Sequence, residues 1–183
     1  QLIRTVENYD PAKEQNEDNL YNITTRYGYD AAGHQTRVTN TLDVVTWTGY
    51  DTLNRVAAVT VNYTATTPNP DPNTYNLVTA YGYDPTGNQV TVTNPGDMVT
   101  VNGYDELNRL VTTTVNYTTT TPNPDPSTYN LVTTFGYDSA GNQVTVTNPL
   151  EQRTVTTYDE LNRVQKVTQN YVNGGYNAAA PDE

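Results

Sequence analysis

The chain has 183 residues, a formal net charge of −11 and a mean hydropathy of −0.72. The acidic charge argues against nucleic acid as a partner, and membrane insertion is not expected because no run of about 18 apolar residues occurs. Cysteine is absent and only one histidine is present, so neither disulfides nor a zinc site is predicted.

The sequence repeats itself every 54 residues. Two series of Tyr-Asp pairs keep this spacing, one starting at Tyr29, Tyr83 and Tyr137 and the other at Tyr50, Tyr104 and Tyr158. Only six of 34 positions differ between segments 62–95 and 116–149. A repeat array offers many equivalent positions, whereas an enzyme needs one unique constellation. We therefore predict an architectural or binding protein, with no catalytic residues and no cofactor.

The domain organisation follows from the same period. Residues 1–183 are interpreted as a single continuous array. Its parts are a partial unit at 1–28, full units at 29–82 and 83–136, and a partial unit at 137–183.

Each Tyr-Asp pair is followed by residues typical of a tight turn. In the first series Asp opens the turn, and Gly at the fourth position accepts the positive φ needed to re-enter a strand. These structural turn residues are Asp30, Gly33, Asp84, Gly87, Asp138 and Gly141. In the second series an asparagine such as Asn108 replaces the glycine. The aspartates are interpreted as turn caps in preference to acid-base groups.

Between the turns, apolar and polar residues alternate. In segment 89–94, Val90 and Val92 share one face, whereas Thr91 and Thr93 share the other and are expected to be the less buried side. The same alternation predicts a tyrosine ladder on one face, made by Tyr75, Tyr81 and Tyr83 with Leu77. The expected fold class is all-β: a tandem-repeat antiparallel β-hairpin meander, or winding sheet, whose 54-residue unit contains two hairpins.

A proline-rich insert lengthens every second interval between Tyr-Asp pairs from 21 to 33 residues. It spans 64–74 with a copy at 118–128, and the first copy, at 10–20, has diverged into charged residues. Alternate prolines cannot donate to a β-ladder, so a stiff, polyproline-like tip outside the sheet is predicted. One carboxylate per tip is poor calcium coordination, and no metal site is predicted.

Candidate glycosylation sites lie beside the inserts. Asn22, Asn62 and Asn116 each begin an Asn-x-Thr sequon. The adjoining threonine-rich stretches resemble O-glycosylated stalks, with candidates Thr66, Thr67, Thr120 and Thr121. Glycans are therefore candidate partners.

Two residues of the first unit depart from the later ones. His34 stands where asparagines follow, and without partners for catalysis or zinc binding it is interpreted as a solvated strand residue. Trp47 stands where valines follow, and it is interpreted as core filling in preference to a sugar-stacking platform.

The motifs Tyr-Asp-x-x-Gly-Asn, Val-Thr-x-Thr-Asn-Pro and Tyr-Asp-Glu-Leu-Asn-Arg, found between Tyr27 and Arg163, resemble the YD or Rhs repeat family. The arginines that follow the second turn series, Arg55, Arg109 and Arg163, share the resemblance. It implies a winding β-sheet in a large exported or surface-associated protein. Family members include the shells of insecticidal toxin complexes, bacterial polymorphic toxins and animal teneurins.

Three functions are open at this point. The first is a structural element of an extracellular surface, fibre or matrix, secreted or at the cell surface. In that case segments 1–9 and 162–171, which share one phase of the repeat, are expected to join copies head-to-tail into a homo-polymeric filament, because an unpaired edge invites another strand. The second is a carbohydrate-binding or adhesin module. The third is a fragment of a toxin-encapsulating Rhs shell.

Overall fold

The structure is a computed structural model that describes residues 1–13, 21–65, 71, 73–119, 125, 127–169, 171–172 and 175–176. These residues form β-strands without any helix, so the predicted all-β class is confirmed. The strands are β1 (Arg4–Glu7), β2 (Ile23–Tyr29), β3 (Gln35–Thr39), β4 (Val45–Tyr50), β5 (Val56–Val61), β6 (Leu77–Tyr83), β7 (Gln89–Thr93), β8 (Val99–Tyr104), β9 (Leu110–Val115), β10 (Leu131–Tyr137), β11 (Gln143–Thr147), β12 (Arg153–Tyr158), β13 (Val164–Thr168), β14 (Tyr171–Val172) and β15 (Gly175–Tyr176).

The strands belong to two compact units, which comprise residues 1–81 with 93–96, and residues 82–92 with 97–183. In the first unit, β1 to β6 pair antiparallel in chain order. In the second unit, β8 to β13 do the same, and β14 pairs with β15 in a separate small hairpin. Consecutive strands pair as neighbours, so the predicted hairpin meander is confirmed within each unit.

A β-bulge precedes the Tyr-Asp turns. Gly28 pairs with Arg37 but Tyr29 pairs with Gln35, which leaves Thr36 as an extra residue on β3. The same shift occurs between Gly49 and Tyr50, Gly103 and Tyr104, Gly136 and Tyr137, and Thr157 and Tyr158. Such bulges bend the strand and end regular pairing. Because the bulge occupies the same position in each of these hairpins, the backbone leading into each turn is similar.

The core is thin and consists largely of threonine side chains. The buried side chains among the described residues are Val45, Thr24, Thr39 and Thr60, and the strand register puts all four on one face of the first unit. A small threonine can be covered by a longer side chain on the adjacent strand, and Thr60 lies directly opposite Trp47. On β7, for which a less buried threonine face was expected, Val90, Thr91, Val92 and Thr93 are all half-buried, so that expectation is not confirmed.

The proline-rich inserts lie between paired strands. In the first full unit, β5 ends at Val61 and β6 begins at Leu77, and the described residues between them form no strand. The three prolines of each tip lie outside the described residues, and the polyproline-like conformation stays a prediction. The described part of the chain holds no helix with the length and apolar character of a membrane span.

Candidate functional site

The Tyr-Asp turns form the recurring site of this molecule. In the turn that starts at Asp84, its N–H donates to the carbonyl of Asn88 at 3.0 Å, and the N–H of Gly87 donates to its carbonyl at 3.1 Å. Oδ1 of Asp84 also accepts the backbone N–H of Asn88 at 2.8 Å. These three bonds recur in the turns that start at Asp30, Asp51, Asp105, Asp138 and Asp159.

The fourth residue of each turn has the left-handed conformation. Values of φ are 94°, 98° and 89° at Gly33, Gly87 and Gly141. They are 62°, 59° and 58° at Asn54, Asn108 and Asn162. This is the conformation that the turn assignment requires, and glycine and asparagine are the residues that adopt it at least cost.

The second oxygen of each aspartate binds the side chain four residues later. In one series Oδ2 accepts from Nε of Arg55, Arg109 or Arg163 at 2.7–2.8 Å. In the other it binds Nδ1 of His34 at 2.8 Å, or Nδ2 of Asn88 or Asn142 at 2.9–3.0 Å. The arginine of the family motif is thus the ion-pair partner of the turn aspartate.

These bonds lower the pKa of the carboxylates. Burial by itself would raise the pKa of Asp84, but hydrogen bonds from the side chains of Asn88 and Thr86 and from the backbone outweigh it and lower the pKa to about 2. The backbone N–H of Arg109 is the main cause that lowers the pKa of Asp105. A carboxylate that stays ionised and binds its own turn through both oxygens is suited to capping and not to proton donation.

Neighbouring turns are also joined to one another. In the second unit, Nδ2 of Asn88 donates to Oδ1 of Asn108 at 2.8 Å, and Asn142 bonds Asn162 in the same way at 2.9 Å. Nη1 of Arg109 donates to the carbonyl of Asp138 at 3.3 Å. Together these bonds connect four successive turns into one row.

The tyrosines of the Tyr-Asp pairs fasten one strand to another through their hydroxyl groups. Five of these hydroxyls donate to a backbone carbonyl on another strand or segment, in the pairs Tyr29–Leu2, Tyr50–Gln35, Tyr104–Gln89, Tyr137–Leu110 and Tyr158–Gln143, at 2.7–3.1 Å. The sequence pattern predicted a ladder of tyrosines and did not predict these bonds. They could have been expected on chemical grounds, because the hydroxyl of a half-buried tyrosine normally has a hydrogen-bond partner.

His34 and Trp47 differ from their predicted roles. His34 precedes β3, its side chain is 23% exposed, and its ring stacks on Tyr50 at 4.7 Å, so the solvated-strand interpretation is wrong. Trp47 is 40% exposed, and core filling is wrong too. Its indole extends over Gly49, where an added Cβ would lie 2.5 Å from the ring. A half-exposed tryptophan can therefore contact a ligand.

The sequon asparagines close the base of each insert. Nδ2 of Asn62 donates to the carbonyl of Thr74, and Nδ2 of Asn116 to that of Thr128, both at 2.9 Å. Nδ2 of Asn22 donates to two carbonyls, at 2.8 and 2.9 Å. A glycan replaces one amide hydrogen, so Asn62 and Asn116 could keep their bonds whereas Asn22 would lose one. Glycosylation at these asparagines stays a prediction, and Thr66, Thr67, Thr120 and Thr121 lie outside the described residues.

Acidic side chains are spread along the turns and are not gathered around one point. Within the described ranges, no three His, Cys, Asp or Glu side chains are placed to hold a metal ion. The carboxylates Asp71 and Asp125 at the insert tips instead accept hydroxyl hydrogen bonds from Thr74 and Thr128.

Known proteins resemble this chain in one segment of sequence and, more widely, in fold. Residues 137–175 match the family model of the RHS repeat. The solved structure of TcdB2-TccC3-Cdc42 has a TM-score of 0.63 at 18% identity, over 80% of this chain and 7% of that one. TcdB2-TccC3 without its hypervariable C-terminal region gives the same TM-score and coverage at 17% identity. No curated protein sequence matches the chain.

The similarity to the TcdB2-TccC3 structures, at such low identity, concerns the fold, and the chain spans about 7% of their length. The family match adds sequence evidence over the last turns of the array. Together they confirm the resemblance to YD or Rhs repeats: the chain carries an RHS repeat and has the β-sheet fold of the TcdB2-TccC3 structures.

Proposed function

We propose that the chain is a structural, non-catalytic segment of a β-sheet wall built from RHS repeats. The observation that carries the proposal is the engagement of both Tyr-Asp side chains within the sheet itself. The aspartate caps its own turn, and the tyrosine hydroxyl fastens another strand. A motif whose polar atoms are satisfied internally can be repeated many times without creating a reactive site.

The fold similarity supports a wall that extends beyond one such segment. The TcdB2-TccC3 structures contain this fold within far longer chains, of which the similar region is about 7%. In the Rhs family, toxin-enclosing shells are built from dozens of such repeats, and we propose that this chain supplies one stretch of a comparable exported or surface-located wall. Fractionation of producing cells, followed by antibody detection, tests the proposed location.

Deletion of one repeat tests the structural role. Removing residues 83–136 takes out one full period and keeps the remaining Tyr-Asp pairs in phase. We expect a shorter protein with a similar circular dichroism spectrum per residue and a lower melting temperature, because repeat stability sums over units and their interfaces. A chain left unfolded by this deletion would show that the repeats do not act as modular elements.

A filament is a second candidate, favoured by the two edge strands. Among the described strands, β1 pairs only with β2, and β13 pairs only with β12. Val164 and Val167 on β13 are 60% and 52% exposed. Unprotected edges accept strands from other chains, so β1 of one copy could pair with β13 of the next.

Light scattering over a concentration series and electron microscopy test this assembly. The intact chain should form growing linear polymers, and deletion of residues 1–9 should leave a folded protein that stays monomeric. Strictly monomeric intact protein, or polymers that persist after the deletion, would reject the filament and leave the wall segment untouched.

A further inference from the structure

Three arginines line one face of the first three strands. Arg4 on β1 pairs directly with Arg26 on β2. Arg37 on β3 pairs with Gly28, which lies two residues beyond Arg26 on the same face. We call Arg4, Arg26 and Arg37 the arginine face. In a chain with nine Lys and Arg residues against 20 Asp and Glu, a third of the positive side chains lie in this one patch.

The arginine face belongs to the first unit only. The positions one and two periods later hold neutral residues, which are Ala80 and Thr134 for Arg26, Thr91 and Thr145 for Arg37, and Ala58 and Thr112 for Arg4. The β-ladder therefore does not require arginine at these positions, and a structural role in the repeat does not explain the patch.

The patch is electrostatically unfavourable in the free protein. Like charges directly opposite each other on adjacent strands are destabilising, and Arg4 and Arg26 are such a pair. Nη1 of Arg26 lies 3.2 Å from Oδ1 of Asp43, a pair exposed to 53% and 83%. No carboxylate of the described residues forms a salt bridge with Arg4 or Arg37. An added anion would therefore relieve a repulsion that the fold leaves in place.

The patch also has the shape of a binding site. Arg26, Gly28, Arg37 and Asp43 line a groove of about 310 Å³, and Gly28 contributes no side chain to fill it. Trp47 on β4 is the cross-strand partner of Arg37 and is 40% exposed, so an accessible aromatic residue stands on the strand next to the arginine face, on the same side of the sheet. The Arg26–Asp43 contact indicates the chemistry that the groove accepts, which is a carboxylate.

We propose that the arginine face binds a carboxylate-rich peptide segment of a partner protein. Neighbouring strands lie about 4.8 Å apart, so three strands span about 10 Å, the length of about three residues of an extended peptide. Carboxylates on such a segment can pair with the guanidinium groups while one of its apolar side chains packs on Trp47. A long nucleic acid is disfavoured because it would extend beyond this short patch, over the rest of a chain whose net charge is −11. This binding role goes beyond the proposed structural function.

Intrinsic fluorescence tests the proposal, because Trp47 is the one tryptophan of the chain. Hexaglutamate added at low salt should change the Trp47 emission saturably, and the affinity should fall as salt is raised. The double variant Arg4→Gln/Arg37→Gln should bind at least about tenfold more weakly, because it loses two guanidinium groups of the site. Circular dichroism should show the same fold in both proteins.

The matched control is Arg153→Gln/Lys166→Gln, which removes two positive charges from the second unit and should bind like the parent. Inorganic phosphate and a hexanucleotide serve as alternative anions and should bind more weakly than hexaglutamate. The proposal is overturned if hexaglutamate does not bind saturably, if the control loses as much affinity as the arginine-face variant, or if either alternative anion binds as tightly.

Discussion

Removal of a single hydroxyl group at Tyr137 should weaken the second unit. Its Oη donates to the carbonyl of Leu110 at 2.9 Å in a partly buried position. The guanidinium of Arg109 lies 4.7 Å from the centre of the same ring. Tyr137→Phe keeps the ring and its contact with Arg109 and removes only the hydrogen bond, so the variant isolates that bond.

The expected loss follows from burial. A hydrogen bond contributes about 0.5–1.5 kcal/mol net, and an acceptor left partly buried without its partner puts the cost near the upper end, at about 1 to 1.5 kcal/mol. For a chain of this length, 1 kcal/mol lowers the melting temperature by about 2–4 °C. The corresponding bond of Tyr158 to the carbonyl of Gln143, at 3.0 Å, is exposed. Water can replace it, so Tyr158→Phe should cost less than about 0.5 kcal/mol.

Urea denaturation followed by far-ultraviolet circular dichroism measures both variants, and an unchanged m-value shows that the unfolded state is not altered. Tyr117→Phe is the control, because Tyr117 is 43% exposed and its hydroxyl has no bond within the described residues. A Tyr137→Phe protein as stable as the parent, or a Tyr158→Phe protein equally weakened, would refute the role of burial in this reasoning.

Three further predictions concern the turns. Gly87→Val should destabilise the protein by about 1–3 kcal/mol, because φ is 98° there; Asn108→Gly should be nearly neutral, because easier backbone geometry offsets the lost bond from Asn88. Glu151 has a φ of 63°, a conformation that Asn adopts more easily than Glu, so Glu151→Asn should raise the free energy of unfolding by about 0.5–1 kcal/mol. The pKa of Asp84 is lowered to about 2 from 3.8, so its stabilisation is full above pH 3.8 and is lost as the pH falls toward 2.

Thermal melts check these three predictions. Equal stability of Gly87→Val and Asn108→Gly would contradict the turn geometry. Glu160→Asn is the control for Glu151→Asn, since Glu160 is not among the residues with positive φ, and equal gains at both sites would remove the backbone explanation. For the pH effect, Asp84→Asn should lose less stability than the parent between pH 5 and pH 2, and parallel curves would count against the Asp84 bonds.

The turns and hairpins could be predicted from sequence because they depend on neighbours within a few residues. Asp84, Gly87 and their copies are local signals, and the structure gives them the expected conformation. The burial of Thr60 and the exposure of Trp47 could not be predicted in this way, because they depend on which side chain lies opposite on the next strand. The tyrosine hydroxyl bonds end on backbone carbonyls, which no residue type marks in a sequence.

The contacts between turns have a consequence for how such a chain can lengthen during evolution. The side-chain amide of Asn88 follows a turn with glycine at its fourth position. It donates to the side-chain oxygen of Asn108, which is the fourth residue of the neighbouring turn. Duplicating a single hairpin would place two turns of the same type side by side, and glycine at the fourth position would offer no oxygen. A duplication of two hairpins keeps the alternation at every junction. Copying by 54 residues thus keeps this contact between neighbouring turns, and the near-identical segments recur at that length.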